Sequence, residues 1–346
     1  MIFKYLRNWL SEDLSIDLGT VNCLVSGRSS ILLNEPTMVA EAINSKKVIA
    51  VGLEAKPMLG RTPGNIHIIQ PLKDGVIADL DATVVMLQHF IHKVGQKNRR
   101  FLRLSPRILV CVPCGATPVE RRLIRDSVLK AGAREGYLID EPMAAAIGAG
   151  LPVEKAGGSM VIDIGGGTTE VAVIALQGIV CSLSIPVAGN HFDQAIAKYV
   201  RAQYKIALGD ATVERIKHAI GTAFATDEVL EIEICGSHMI EGIPKYFKLT
   251  GAEILEVLQE PLSEVIQGVL SVLRDTPPEL ASDIAASGIM LTGGGALLRN
   301  LNLLIQSKTG ITVHIAEEPL TCVARGGGMA LALIEKKGHA LFLMKE

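Results

Sequence analysis

An Asp-x-Gly bend between two apolar strand-like segments occurs twice in this chain of 346 residues, and this repetition constrains the fold more than any other feature. The first copy spans residues 14–26 and the second spans residues 160–176, with Asp17 and Asp163 in equivalent places. Each copy continues into a glycine-containing turn and a third apolar segment. Because the copies lie about half a chain length apart, they predict two lobes of similar architecture.

Helical periodicity alternates with the strand-like segments, which favours an α/β architecture. Apolar residues recur at helical spacing in residues 81–94, 118–131, 142–149, 192–204, 212–220 and 252–273. Glycine, proline and polar residues predict loops at 60–64, 96–106, 151–158 and 274–278. The length allows two or three domains, each with its own core.

Charge and cysteine content exclude several classes of protein. The net charge of -2 argues against nucleic-acid binding, because phosphate contacts usually need a basic excess. No apolar run approaches the ~18 residues of a membrane span. The 6 cysteines are too scattered for a secreted disulfide framework. Cys111 and Cys114 form a C-x-x-C at the end of an apolar strand, where a structural role is favoured over a redox pair or half a zinc site.

The N-terminal residues have the pattern of a short amphipathic helix. On a helix, a single apolar face would carry Ile2, Phe3, Leu6, Trp9 and Leu10. A secretory signal is not predicted, because the segment lacks a long apolar centre and a small-residue cleavage site. A short helix with flanking cations and a tryptophan at its edge is typical of a lipid interface. We therefore predict that this segment binds a membrane surface; the alternative is docking on its own domain.

The two Asp-x-Gly bends have the composition of phosphate-binding loops. Glycine lets backbone N–H groups approach phosphate oxygens, and an aspartate can hold water around Mg²⁺. One such bend alone also fits an ordinary turn, but a third apolar strand at 289–292 runs into three glycines and then a helix. No P-loop, G-x-G-x-x-G or His-Glu zinc motif is present. Two phosphate bends and a glycine-rich platform for a nucleoside predict a nucleotide-binding cleft.

In this order the motifs resemble those of the superfamily that contains actin, sugar kinases and heat-shock chaperone ATPases. The corresponding segments are 17–23, 141–150, 163–169, 291–298 and 324–332. A closer resemblance is to the MreB family of bacterial actin-like cell-shape proteins, through residues 34–36, 58–64, 73–79, 141–148, 214–217 and 322–328. The likeness spans practically the whole chain. Departures from the family pattern are Cys23, where threonine is usual, and the segment 188–191.

The resemblance implies an α/β, actin-like two-lobed ATPase fold, with an RNase H-like core and a smaller subdomain in each lobe and nucleotide in the interlobe cleft. Residues 1–12 would form the N-terminal amphipathic membrane helix. Lobe I would span 13–150, with a subdomain insertion at about 34–73, and would be completed by 324–346. Lobe II would span 151–323, with an insertion at about 186–250.

The resemblance also implies ATP and Mg²⁺ as ligands and a role for each site residue. Asp17 and Asp163 would position Mg²⁺ through water, and Glu141 would orient the attacking water, so these three are the predicted catalytic residues. The phosphate loops would contain Thr20, Val21, Asn22, Gly165, Gly166, Gly167 and Thr168. The ribose and base would be bordered by Glu214, Arg215, Ile216, Lys217, Gly294, Gly295, Ala296, Leu297 and Leu298.

From the residues alone, other interpretations of these positions stay open. Glu141 also fits a cap on the helix that continues with Pro142. Glu214 and Lys217 also fit a solvated pair on one helix face. His89 and His92 are three apart on a predicted helix without an acidic or cysteine partner, so we expect no metal there. The basic loop with Phe101, Leu102 and Leu104 would assist lipid contact in the family, although its apolar residues also fit inward packing.

The function implied by the resemblance is that of an actin-like ATPase, an ATP hydrolase whose slow hydrolysis is coupled to polymerisation. It would form ATP-dependent, membrane-associated filaments and help maintain rod shape by organising peptidoglycan synthesis. Its partners would be further copies of itself, the inner face of the cytoplasmic membrane, and membrane-embedded cell-shape and wall-elongation proteins, with no nucleic acid. A sugar or acetate kinase would need an acceptor pocket with a catalytic base, and a chaperone ATPase would need room for a substrate-binding domain.

Overall fold

The computed structural model describes residues 13–28, 30–97 and 105–337, and two five-stranded sheets form its centre. Sheet I contains β1 (Leu14–Leu18), β2 (Asn22–Ser26), β3 (Ile31–Pro36), β9 (Arg107–Val112) and β10 (Glu135–Asp140), in the order β10-β9-β1-β2-β3. The first three strands form an antiparallel meander, and β9 and β10 run parallel to β1.

Sheet II repeats this arrangement. It contains β11 (Ser159–Ile164), β12 (Thr169–Ala175), β13 (Gly178–Ile185), β17 (Ile289–Thr292) and β18 (Val313–Ile315), in the order β13-β12-β11-β17-β18. Again three strands form an antiparallel meander, and two further strands run parallel to the first. The internal repeat is therefore confirmed, with Asp17 and Asp163 in the central strand of their sheets.

Helices cover both sheets. They are α1 (Leu80–Lys97), α2 (Pro118–Lys130), α3 (Glu141–Gly148), α4 (Gly189–Tyr204), α5 (Asp210–Ile220), α6 (Gly251–Asp275), α7 (Pro278–Ser287), α8 (Leu301–Thr309) and α9 (Cys322–Lys337). The apolar residues of α1 and α2 share a core with sheet I, and we call this unit lobe I. Those of α4 to α8 share a core with sheet II, and we call this unit lobe II. Both cores are mainly aliphatic, as the low aromatic content requires.

Smaller sheets accompany the two large ones. In lobe I, β4 (Val39–Ala42), β5 (Val48–Val51) and β6 (Ile66–Ile69) pair in the order β5-β4-β6, and β7 (Leu72–Lys73) pairs with β8 (Val76–Ile77). In lobe II, β14 (Ile206–Ala207), β15 (Glu231–His238) and β16 (Pro244–Thr250) form a third sheet. These strands fall largely within the segments where insertions were predicted; the division into domains itself stays a prediction.

The lobes are joined by α3 and α9, which cross at very short range. A Cβ on Gly148 would lie 1.9 Å from Cys322 O, and a Cβ on Gly326 would lie 1.8 Å from Ala144 O. α3 also packs on β11 and β12, while α9 packs on β1. Glycine at these two positions therefore allows the helices that connect the lobes to meet backbone to backbone.

Replacing Gly326 with Ala should destabilise the protein, although alanine is the better helix former. The gain in helix propensity is about 1 kcal/mol, whereas overpacking costs about 1–3 kcal/mol and more where backbone must move. We expect the free energy of unfolding to fall by about 2 kcal/mol in a urea titration. Gly64→Ala is the control, because a Cβ there meets no atom within 4 Å. An unchanged urea midpoint for Gly326→Ala would contradict the tight crossing.

The predicted membrane contacts concern residues that the structure does not describe. The predicted membrane-contacting residues all lie outside the described ranges: Ile2, Phe3, Leu6, Trp9, Leu10, Phe101, Leu102 and Leu104. Across residues 13–28, 30–97 and 105–337, no helix combines the length and the apolar character that crossing a bilayer requires.

Candidate functional site

The Asp-x-Gly bends of the two lobes face each other in close contact. A Cβ on Gly166 would lie 2.2 Å from Val21 Cγ2, and a Cβ on Gly167 would lie 2.5 Å from Thr20 Oγ1. Side chains at these glycines would therefore force the lobes apart. The structure thus brings together the two segments that were predicted to bind phosphate.

The bend of lobe I is fixed by its neighbours in the same lobe. A Cβ on Gly19 would lie 2.6 Å from Asn22 O, so the turn requires glycine. Thr37 donates hydrogen bonds to both sides of the bend, from Oγ1 to Gly19 O at 2.7 Å and from N to Val21 O at 2.9 Å. Thr20 Oγ1 accepts a hydrogen bond from Gly75 N at 3.1 Å. Contacts with Asn22, Thr37 and Gly75 therefore stabilise one conformation of this loop.

The bend of lobe II lies against the N-terminus of α4. Gly165 N donates to Thr168 O at 2.9 Å within the bend. The first residues of α4 donate in turn to its carbonyl groups, Gly189 N to Gly165 O at 3.2 Å and Asn190 N to Gly166 O at 2.8 Å. The unusual segment 188–191 therefore still begins a helix at this place and supports the loop.

Asp17 and Asp163 are the carboxylates of the two bends, and the charge of Asp163 acts on Asp17. Burial raises the pKa of Asp17 to about 7, with the charge of Asp163 acting in the same direction. Burial also raises the pKa of Asp163 to about 6, although the Thr292 hydroxyl, which donates to Oδ1 at 2.7 Å, opposes the rise. A bound cation would favour the charged form of two such buried carboxylates. The described residues contain no group of three or more metal-ligating side chains, so such a cation would need further ligands.

Replacing Asp17 with Asn should stabilise the ligand-free protein at pH 8. A carboxyl group whose pKa is about 7 in the folded state contributes stability below its unfolded pKa of ~3.9, and this contribution is lost as the pH rises through 7. We expect a gain of about 2 kcal/mol in the free energy of unfolding at pH 8 and a smaller gain at pH 5. Urea titrations at both pH values, without nucleotide or Mg²⁺, measure this difference. Equal gains at the two pH values would contradict it, and Asp126→Asn on α2, where the side chain is 43% exposed, is the control.

Glu141 is the first residue of α3 and lies near the same carboxylates. It is 8% exposed. Burial raises its pKa well above the usual range, with the charges of Glu170, Asp17 and Asp163 adding to the effect. Asp140 holds the N-cap position of α3 but makes no side-chain capping hydrogen bond; its Oδ1 instead accepts a hydrogen bond from Arg121 at 2.7 Å. Glu141 is therefore the first helical residue and not the cap, and its carboxyl group lies near the carboxylates of Asp17 and Asp163.

Glu170 is a cleft carboxylate that the sequence analysis missed. It lies on β12 with 0% exposure. Its Oε1 accepts a hydrogen bond from Ser184 Oγ at 2.6 Å, and its Oε2 accepts one from Cys114 N at 3.0 Å. The sequence feature that could have indicated this residue is a single glutamate within an apolar strand. Burying an ionisable group costs much free energy unless hydrogen bonds compensate, so a glutamate in such a strand indicates a specific role.

The third glycine segment packs on the end of β11. A Cβ on Gly293 would lie 2.3 Å from Ile164 O, and one on Gly295 would lie 2.2 Å from Ile164 Cγ2. Arg299 follows this turn and donates a hydrogen bond to Ala219 O near the end of α5 at 2.6 Å. A Cβ on Gly221 would lie 2.3 Å from Lys217 O and 3.1 Å from Leu298 Cδ1, so the end of α5 lies beside this turn; the base pocket itself stays a prediction.

Individual residues of the predicted base pocket have different environments. Lys217 Nζ pairs with Asp193 Oδ2 at 2.7 Å and donates to Gly189 O at 3.2 Å, so the interpretation of a solvated pair with Glu214 is wrong. The side chains of Ile216 and Ala296 are buried in the core of lobe II, at 0% and 1% exposure. A base beside them would therefore meet their backbone atoms, and their place in the base pocket stays a prediction. Arg215 is exposed.

Comparison with known proteins shows the family to which a chain with these glycine bends and carboxylates belongs. The sequence model of the MreB/Mbl protein family matches residues 11–339. This chain belongs to the MreB/Mbl family. The cell shape-determining protein MreB of Escherichia coli (strain K12) is 58% identical over 346 residues, which is 99% of each chain. The resemblance to actin-like cell-shape proteins is therefore confirmed.

Solved structures share the fold. MreB5 of Spiroplasma citri bound to AMPPNP has a TM-score of 0.88 and 36% identity, covering 94% of this chain and 97% of that chain. The crystal structure of MreB5 bound to ADP has a TM-score of 0.87 and 37% identity, covering 94% and 96%. The MamK double helical filament, at 19% identity, TM-score 0.77 and coverage of 93% and 99%, shares the fold alone. The predicted actin-like α/β fold is confirmed, and the chain is a member of a cytoskeletal, cell-shape-determining MreB/Mbl family.

Proposed function

We propose that this protein is a slow ATPase that forms ATP-dependent filaments at the inner face of the cytoplasmic membrane. The observation that carries the proposal is the pair of facing glycine bends, each with a carboxylate on its central strand and with a third glycine turn beside them. Spiroplasma citri MreB5 was crystallised with ADP and with AMPPNP, which supports an adenine nucleotide as the ligand.

In the proposed cleft, backbone N–H groups of residues 20–22 and 165–168 bind the phosphates. Asp17 and Asp163 would hold Mg²⁺, and the ion would supply positive charge that neutralises the phosphate oxygens. Glu141 accepts a hydrogen bond from the attacking water and orients it toward the γ-phosphate. Glu214, Lys217 and the turn 294–298 border the ribose and base. Binding in a cleft between two lobes favours their closed arrangement, and we propose that this arrangement polymerises.

The proposed cellular role follows from two similar proteins. MamK, which shares the fold, forms a double helical filament, and the Escherichia coli relative is named for cell shape. These two relatives support self-association and a role in shape. We propose that the filament is cytoplasmic, lies peripherally on the membrane and organises peptidoglycan synthesis in rod-shaped cells. Membrane-embedded cell-shape and wall-elongation proteins would be its partners.

Electron microscopy combined with phosphate release tests the main proposal. We expect filaments with ATP and Mg²⁺, fewer with ADP, and none without nucleotide, with phosphate released slowly after assembly. Incubation with EDTA should abolish both. A protein that phosphorylates an added sugar or acetate and forms no filaments would contradict the proposal and favour a kinase of the same superfamily.

Membrane binding is proposed through residues 1–12 and the 99–106 loop. Leu14 of β1 pairs with Ile108 of β9, so the two segments join sheet I at neighbouring strand ends. Asp13, which is 1% exposed, forms an ion pair with Arg107 at this end of the sheet. Two adjacent attachment points support the proposal that both segments meet one lipid surface.

Replacing Trp9 with Glu should release filaments from anionic liposomes without preventing assembly in solution. A short interfacial helix binds lipid only modestly, and a filament multiplies this affinity by avidity. Loss of the aromatic anchor should therefore lower co-flotation by at least about 10-fold. Val229→Glu, at a residue that is 89% exposed, is the control for added charge. Unchanged flotation of Trp9→Glu filaments would contradict the membrane assignment of this segment.

A further inference from the structure

A loop of lobe I lies directly on the β12–β13 surface of lobe II, beside the glycine bends. This loop, residues 113–116, follows β9, and Cys114 N donates the 3.0 Å hydrogen bond to Glu170 Oε2. At the next position, a Cβ on Gly115 would lie 2.9 Å from Ser184 Cβ on β13. The loop is therefore in van der Waals contact with the opposite sheet, and the contact includes a hydrogen bond between the lobes.

The carboxylate that receives this hydrogen bond depends on it. Glu170 is fully buried, and it faces Ser184 in the register of β12 with β13, so one of its oxygens is satisfied within lobe II. The hydrogen bond to its other oxygen comes from lobe I. A buried carboxylate costs several kcal/mol unless hydrogen bonds compensate its lost hydration. The environment of Glu170 is consequently complete only when the lobes are in contact.

Arg121 extends this connection from the loop to Glu141. Its guanidinium donates to three carbonyl groups of the 113–116 loop, at 3.0, 3.3 and 3.4 Å. It also donates to Asp140 Oδ1 at 2.7 Å. Asp140 holds the N-cap position of α3 and immediately precedes Glu141. A continuous series of hydrogen bonds therefore runs from Glu170 in lobe II to the residue before the proposed water-orienting glutamate.

We propose that Glu170 is a positioning residue for ATP hydrolysis, which fixes the 113–116 loop against lobe II and thereby holds Glu141 in place when the cleft closes. The proposal rests on the proposed ATPase function and assigns to it a residue outside the phosphate bends. Coupling between sites travels through contiguous packed and hydrogen-bonded groups of this kind. The electrostatics agree, because Glu170 is the first of the neighbouring carboxylates, after burial itself, that raise the pKa of Glu141.

A double-mutant cycle tests the proposal. Glu170→Ala removes the acceptor for Cys114 N, and we expect kcat for ATP hydrolysis to fall about 10-fold, since small misplacements of catalytic groups carry costs of this order. The same substitution in a Glu141→Gln background should change single-turnover hydrolysis by less than about 2-fold, because the group that Glu170 positions is already lost. Glu170→Gln keeps the size and one acceptor oxygen, so it should retain most of kcat.

Controls separate positioning from folding and from the proposed function itself. Glu231→Gln, at an exposed glutamate of β15, should leave kcat unchanged. If a thermal melt shows that Glu170→Ala does not fold, Ser184→Ala replaces it in the double-mutant cycle. We expect Ser184→Ala to lower kcat by about 3-fold. Equal reductions by Glu170→Ala in both backgrounds, or an unchanged kcat, would overturn the positioning role. A wild-type protein that does not hydrolyse ATP would instead overturn the proposed function.

Discussion

Asp163→Asn is expected to weaken Mg²⁺-dependent ATP binding by roughly 100-fold while the protein stays folded. Asparagine has the same size and still accepts the hydrogen bond that Thr292 Oγ1 donates at 2.7 Å. Asp163 is 6% exposed, and burial raises its pKa. Removing its charge should therefore not destabilise the ligand-free protein. The loss appears only with the ligand, because a neutral amide holds the water shell of Mg²⁺ less well than a carboxylate.

Titration with a fluorescent ATP analogue, in Mg²⁺ and in EDTA, measures this effect. The wild-type protein should bind much more tightly with Mg²⁺, whereas Asp163→Asn should bind with similar, weak affinity in both buffers. Asp275→Asn at the exposed end of α6 is the matched control in the same lobe. Asp163→Asn with wild-type affinity in Mg²⁺ would remove this residue from the proposed metal site.

The elements that were predicted from sequence are those whose signal is local. The strands of both meanders follow from apolar runs bounded by glycine, and the structure has them at β1 to β3 and at β11 to β13. The long α6 follows from its apolar periodicity, and it ends at Asp275, within the loop predicted at 274–278. α7 was not predicted, because Ile284 is its only buried residue and the periodic signal is therefore weak.

The residues of the candidate site also divide into those that local sequence predicts and those that it does not. The glycine bends were predicted because the close approach of backbone to phosphate is encoded by adjacent residues. The partners of the site's polar groups were not, since they come from distant parts of the chain. Lys217 pairs with Asp193 rather than with Glu214, and Glu170 meets the backbone of Cys114. Pairings across a fold depend on how sheets and helices pack, and a single sequence without its fold carries no direct record of them.

Glu141→Gln is expected to slow hydrolysis while ATP binding and filament assembly continue. The γ-phosphate of a nucleotide in the cleft would lie between the two bends, and Glu141 neighbours the carboxylates of both. Phosphoryl transfer requires little covalent help from a protein; it requires a water in line and neutralised charge. Glutamine keeps the shape at the start of α3, but it is a poorer acceptor for the water's proton. The rate of phosphate release should therefore fall by about 10- to 100-fold.

Phosphate release measured beside light scattering separates this role from a structural one. Light scattering should show filaments of Glu141→Gln that form at the wild-type ATP concentration and persist longer, because hydrolysis no longer follows assembly. A structural role at the helix start predicts the opposite pattern, with lower stability and normal hydrolysis by the folded fraction. The N-cap position of α3 is Asp140 and no side chain makes a capping hydrogen bond there, so the substitution removes none. Wild-type hydrolysis in normal filaments of Glu141→Gln would show that another group orients the water.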